Sequence, residues 1–177
     1  GCRLVERLVE QDVPVRPLVR RPQSAVRLAR LPVELALCDV RRVEDLQNAF
    51  RGAEVVYHCA GSAQSDRETI VDGTMHVLRT AEQNGVRRVV VFSSMLAYGD
   101  PPMDGVVNED HPLLRSVTSY GAAKRKMELA CLDFARSSRV EVVVLQPTCV
   151  FGQFAPDFVA GPLESRLSGS FFLMERA

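Results

Sequence analysis

The most constraining feature of this chain is a set of short, almost unbroken apolar runs: EVVYH at 54–58, RVVVFS at 88–93 and VEVVVLQ at 140–146. A strand with one wet face alternates apolar and polar residues. These runs do not alternate, so they predict strands covered on both faces, which is the situation of a parallel sheet. Parallel neighbours need long crossovers, and the segments between the runs supply them. Helical spacing predicts helices over 3–11, 23–30, 43–50, about 66–84, 118–137 and 158–167. The 66–84 helix ends on Asn84-Gly85, a good C-terminal signal. Two weaker strands fall at 13–19 and 33–37, the first interrupted by Pro14 and Pro17. The fold class expected is α/β, a doubly wound parallel sheet. Internal repeats and low-complexity stretches are absent from the sequence.

Composition narrows the function. The chain has 177 residues, 46% of them hydrophobic and 25% charged, enough apolar content for one domain with a core. Twenty-two acidic residues balance 22 basic ones, so no electrostatic case exists for nucleic acid or an anionic membrane. No run is long and apolar enough to span a bilayer, and no leader is visible, so a cytoplasmic location is expected. The five cysteines, Cys2, Cys38, Cys59, Cys131 and Cys149, are odd in number and widely spaced, without a CxxC. They read as reduced thiols, not as a zinc site.

Three segments carry candidate chemistry. In SYGAAK (119–124), Tyr120 and Lys124 are four residues apart on a helix and share a face. A free tyrosine ionises near pH ~10, too high for acid–base work at neutrality. A neighbouring ammonium favours the phenolate and brings it toward a useful range. The bland alternative is a surface pair. Against it, Lys124 and Lys126 are the two lysines among 22 basic residues, and arginine serves every other cationic position. Ser93 and Ser94 end the 88–93 strand, at the carboxyl edge where open parallel sheets bind ligands. Either can hydrogen-bond a substrate oxygen, or simply satisfy local backbone. YHCAG (57–61) ends another strand in small residues that admit a ligand to the backbone. His58 within it reads as a packed histidine more readily than as a catalyst. Asp39, after strand 33–37, is either a hydrogen-bond partner for adenine or ribose or a turn aspartate.

Taken together the chain resembles the extended short-chain dehydrogenase/reductase family, the NAD(P)-dependent epimerase/dehydratase group. The matching stretches are LVRRP (18–22), CDVRRVEDLQNAFRGAEVVYHCAG (38–61), DGTMHVLRTAEQNGVRRVVVFSSMLAYG (72–99), NEDHPL (108–113), SYGAAK (119–124) and LQPTCVFG (145–152). Their order and spacing make the match specific. The resemblance implies a Rossmann-like dinucleotide domain over 1–152 and the start of a substrate-binding region over 153–177. It implies Tyr120 as general acid/base, Lys124 as the residue that lowers its pKa and holds the nicotinamide ribose, and Ser94 as the active serine, with Ser93 beside it. Gly1 would be the last glycine of the family's phosphate turn. Asp39 and Val40 would contact the adenine, Ala60 and Gly61 would line the cofactor, and Pro147, Thr148 and Val150 would pass the nicotinamide.

The cofactor expected is NADP, with NAD as the other candidate. NAD-users of this fold place an acid after the second strand, where this chain has Arg20 and Arg21; an arginine fork suits a 2′-phosphate. The resemblance implies a small-molecule substrate and no metal. Family members often dimerise through the helices corresponding to 66–84 and 118–137, so a homodimer is admitted. The activity implied is hydride transfer between a nicotinamide and a carbonyl or secondary alcohol. The alternatives are a nucleotide-sugar epimerase or dehydratase with the same residues, and a non-catalytic fragment or binding module.

The departures are specific. The family's first strand and most of its glycine-rich turn lie ahead of the position of Gly1, so the fold is expected incomplete at both ends. The half containing 13–37 should then lack a partner joining it to 54–58 and 88–93. Ile70 stands where many members carry an asparagine, and Gln146 and Gln153 replace the usual arginine and proline.

Overall fold

A computed structural model describes residues 1–61, 67–99 and 106–150. The chain divides into two compact units, Gly1–Gln146 and Pro147–Ala177. The expected helix at 158–167 and Gln153 lie outside the described residues.

The first unit alternates helix and strand as the runs require. Helix α1 (Cys2–Glu10) precedes strand β1 (Leu18–Val19), a 3₁₀ helix at Pro22–Leu28 and strand β2 (Ala36–Leu37). Helix α2 (Val43–Ala49), strand β3 (Val55–His58) and helix α3 (Gly73–Gln83) follow, then strand β4 (Arg88–Phe92), helix α4 (Ser119–Ser137) and strand β5 (Glu141–Leu145). Every pairing is parallel. β3, β4 and β5 form one sheet in that order, with His58 opposite Val91 and Phe92 opposite Leu145. β1 and β2 form a separate two-stranded sheet. The two sheets share no ladder among the described residues, as the sequence led us to expect for halves lacking a joining strand.

β1 is shorter than the 13–19 run. Pro14 and Pro17 have no amide hydrogen to give a ladder. Pro17 still accepts from the Ala36 amide at 3.1 Å, and ladder pairing starts at Leu18. Two other local forms were not legible in the periodicity. The segment before α3 opens as a π-helical stretch at Glu68–Asp72, and Met95–Tyr98 forms a 3₁₀ turn after β4. α3 ends where Asn84-Gly85 predicts: the Val86 amide returns to the Ala81 carbonyl at 2.9 Å.

The core lies between one face of the β3–β4–β5 sheet and helices α2, α3 and α4. Leu46, Leu78, Val89, Val91, Met127 and Cys131 are among its fully buried members. Val89 and Val91 point into this core from β4 and Val77, Leu78 and Ala81 meet them from α3, so β4 is fixed in depth and register. Tyr57 and Leu145 remain partly exposed. The described cysteines carry free thiols. Among the described residues no helix is long and apolar enough to cross a membrane, and no cluster could hold a metal ion.

Candidate active site

The candidate residues converge where the carboxyl ends of β3 and β4 meet the first turns of α4. Thr118 caps α4, its hydroxyl accepting the Gly121 amide at 3.0 Å. That cap starts the helix so that Tyr120, Lys124 and Glu128 stand one above another, four residues apart. Close approach of α4 depends on Gly121: a Cβ there would lie 2.1 Å from Ser116 Oγ and 2.9 Å from the Leu96 carbonyl.

Each residue of this row meets the end of β4. Ser94 stands beside Tyr120, where its hydroxyl favours the phenolate against burial. Ser94 Oγ accepts from the Leu96 amide at 3.3 Å, so its own hydrogen is available to the phenol. Lys124 Nζ donates to the Phe92 carbonyl at 2.7 Å and lies 5.8 Å from the centre of the Tyr120 ring. Ser93 Oγ donates to Glu128 Oε2 at 2.8 Å, and the Gln146 amide bonds the other carboxylate oxygen.

Electrostatics departs from the expectation in one respect. Burial pushes the Tyr120 phenol up, and the Ser94 hydroxyl opposes this; the Lys124 charge does not lower it here. The ammonium is committed to Phe92 and buried itself, which pushes Lys124 down, with Cys131 and Glu128 pulling it back up. Burial also raises Glu128, against Ser93, Gln146 and Lys124.

β3 supplies the facing wall. His58 is buried, and its Nε2 lies 2.9 Å from Thr74 Oγ1. The Thr74 hydroxyl gives its hydrogen to the Ile70 carbonyl at 2.6 Å, so His58 Nε2–H must be the donor in its own bond. Burial, then the Lys124 charge, lower His58 to about 4, leaving a neutral, packed ring. Gly61 has φ +112°, a conformation that favours glycine, and a Cβ there would sit 3.6 Å from Ile70 and 3.9 Å from Lys124 Nζ. Ile70, the residue that departs from the asparagine of many family members, is buried, so an apolar side chain fills that place.

Gly1, at the N-terminus of α1, comes within van der Waals reach of Cys59, next to exposed Ala60. A helix N-terminus beside a small-residue strand end suits a phosphate group. Asp39 shows the turn geometry: its carboxylate takes the Arg41 amide at 3.0 Å and the Arg41 guanidinium at 2.6 Å, which lowers it to about 2. The charge of Arg20 adds to that effect, so Arg20 and Asp39 share one corner at the carboxyl ends of β1 and β2. Arg20 and Arg21 are exposed. Val40 packs against Gly73, and its carbonyl accepts from His76 Nδ1–H at 3.1 Å. Pro147, Thr148 and Val150 fall in the second unit. Sequence reasoning passed over Glu128. Its signal was an acid two turns beyond Tyr120, on the stripe of Ala123, Met127 and Cys131 that faces the core.

The chain belongs to the NAD-dependent epimerase/dehydratase family, whose sequence profile it matches over residues 1–167. It is 30% identical to sterol demethylase protein B of Methylococcus capsulatus, over 97% of this chain and 57% of that protein. It is 32% identical to cinnamoyl-CoA reductase 1 of Petunia hybrida, over 84% of this chain and 50% of that protein. The chain thus spans about half the length of the curated relatives it matches. Among solved structures, MoeE5 in complex with UDP-glucose and NAD superposes with a TM-score of 0.76 at 28% identity, covering 96% of this chain and 58% of that one. The parallel α/β architecture is accordingly Rossmann-like, and the chain's relatives include reductases, epimerases and dehydratases.

Proposed function

We propose that the protein is an NADP-preferring oxidoreductase that reduces a carbonyl, or oxidises a secondary alcohol. The observation that carries this reading is the Ser94–Tyr120 pair standing over a buried, carbonyl-anchored Lys124 at the end of β4. The residues fit a dinucleotide: Gly61 opens the strand end beside Lys124, Gly1 brings a helix N-terminus to Cys59, and two exposed arginines follow β1. Gly1, Ala60 and Gly61 would hold the pyrophosphate side, with Asp39 and Val40 at the adenine. Arg20 and Arg21 would take a 2′-phosphate, and Lys124 the nicotinamide ribose. A bound nicotinamide supplies or accepts the hydride.

The protein's own residues handle the proton. The Ser94 hydroxyl orients the substrate oxygen. Tyr120 donates its phenolic proton to that oxygen as the carbonyl becomes an alcohol, and takes it back in the reverse direction. Because burial keeps Tyr120 protonated at neutral pH, the site is poised as a proton donor, which favours reduction. Oxidation needs the phenolate and should gain rate as pH rises.

The test is NADPH consumption across a panel of aldehydes and ketones. Tyr120→Phe should lower turnover by at least about 100-fold, the scale of a lost acid–base group. Unchanged turnover would sink the mechanism. A nucleotide-sugar epimerase or dehydratase would use the same three residues, and the UDP-glucose and NAD bound to MoeE5 keep that reading alive. Stoichiometry separates the two: the reductase consumes one NADPH per product, whereas the epimerase or dehydratase consumes none.

A further inference from the structure

Tyr120, Lys124 and Glu128 occupy three successive turns of α4, and the third has no part in the proton transfer just described. Glu128 is 3% exposed and Lys124 2%, so neither charge is solvated by bulk water. A buried carboxylate is costly unless hydrogen-bonded and paired. Glu128 is hydrogen-bonded on both oxygens, by Ser93 Oγ at 2.8 Å and by the Gln146 amide, and the charge of Lys124, one turn away on α4, acts with them against burial. The groups facing this pair are Tyr120 and Cys131 on α4, Tyr98 on the 3₁₀ turn and His58 on β3. Cys131 is pushed up to about 12 and His58 down to about 4, so both are neutral near pH 7. Tyr98 is raised as well. Glu128 is therefore the anionic group left to balance Lys124. Its other polar partners, Ser93 and Gln146, are neutral, so no second cation among them competes for its charge.

We infer that Glu128 is a positioning residue of the candidate site: clamped by Ser93 and Gln146, it supplies the counter-charge that keeps the Lys124 ammonium charged and seated on the Phe92 carbonyl, beneath Tyr120. The role assigned to Lys124 here rests on the oxidoreductase reading. Phe92, the last residue of β4, and Ser93, which follows it, are thereby held by two consecutive turns of α4, and this fixes the chain that places Ser94 beside Tyr120.

Two lysines in the sequence make the direct test simple. Lysine labelled with carbon-13 at the side chain gives two resonances, Lys124 and exposed Lys126, and the second is an internal reference. In Glu128→Gln, which keeps the shape and an acceptor but removes the charge, the Lys124 midpoint should fall by about one pH unit or more while Lys126 stays fixed. Gln146→Arg is the second variant, should Glu128→Gln not fold. The new guanidinium offsets the Glu128 charge, so the Lys124 midpoint should move in the same direction. An unmoved Lys124 midpoint in a folded variant overturns the inference. The alkaline limb of the turnover profile should shift down with the midpoint. Tyr120→Phe, run beside these variants, separates the two failures. If Tyr120→Phe retains turnover, the oxidoreductase reading falls. If Tyr120→Phe is inactive but Lys124 titrates unchanged in Glu128→Gln, the positioning role alone falls.

Discussion

The ammonium of Lys124 donates to the backbone carbonyl of Phe92 at 2.7 Å, across 32 residues of sequence. This bond ties the first half of α4 to the last ladder residue of β4, one residue short of Ser93 and two short of Ser94. It also explains why a lysine stands here in a chain whose basic residues are arginine at all but two positions. A single buried carbonyl matches a compact ammonium and not a five-donor fork.

Removing that cation should expose its dependence on Glu128. Lys124→Met leaves the Phe92 carbonyl without its donor and the buried Glu128 without a nearby cation; the unmade hydrogen bond alone costs about 1–3 kcal/mol. Lys124→Met with Glu128→Gln removes both charges and should recover the part of the loss that comes from the uncompensated carboxylate. Urea unfolding of the two singles and the double checks this; strict additivity would show that the residues are not coupled.

Ser94→Ala should act on both stability and turnover. The hydroxyl caps the Leu96 amide, worth about 1 kcal/mol in comparable caps. It also stands beside Tyr120 and opposes the upward push of burial. The variant should therefore melt slightly lower, lose turnover by at least about 10-fold, and show its Tyr120 midpoint displaced upward. The chain has three tyrosines and no tryptophan, so tyrosinate absorbance reads that displacement directly.

His58 should make the fold acid-sensitive. Its folded value of about 4 lies below the ~6.5 of the unfolded chain. Between those values the unfolded state binds the extra proton, so stability is full above 6.5 and declines as pH falls toward 4. The raised carboxyl of Glu128 works in the opposite sense within the same range. The difference between wild type and His58→Gln isolates the histidine: thermal midpoints of the variant should fall less steeply from pH 6.5 to pH 4.

Gly121→Ala should damage the site without touching any of its polar groups. The added methyl would meet Ser116 Oγ at 2.1 Å and the Leu96 carbonyl at 2.9 Å, and the second of these is backbone. Relief requires moving α4 off the Met95–Tyr98 turn, with an overpacking cost of about 1–3 kcal/mol. Circular dichroism should show a retained helix, a lowered melting midpoint and, in the turnover assay, a loss comparable to that of Ser94→Ala.

Arg20→Glu tests the cofactor preference. Reversing the charge at the carboxyl end of β1 should weaken NADPH binding by at least about 10-fold and leave NADH binding within a few-fold, because one arginine–phosphate contact is removed. Fluorescence titration with each dinucleotide measures both constants. Equal weakening for the two would place Arg20 away from the 2′-phosphate.

Much of this arrangement was legible from the sequence. The runs at 55–58, 88–92 and 141–145 became parallel strands, because valine-rich segments without alternation satisfy themselves only when covered on both faces. The Tyr120–Lys124 spacing gave a shared helix face, and Asn84-Gly85 gave a helix end. The shortening of β1 was already implied by its two prolines. The separation of the two sheets followed from counting strands against the family order.

What local pattern determined, then, was the order of elements, the sense of the sheet and which side chains share a face, since periodicity and backbone chemistry act over a few residues. The tertiary structure alone decided that Lys124 is anchored on Phe92, that Glu128 is buried against Ser93 and Gln146, that burial outweighs Ser94 in setting Tyr120, and that His58 is a neutral core donor to Thr74. Those outcomes depend on desolvation and on partners 16 to 35 residues away in sequence, and both are created when α3 and α4 close over the end of the sheet.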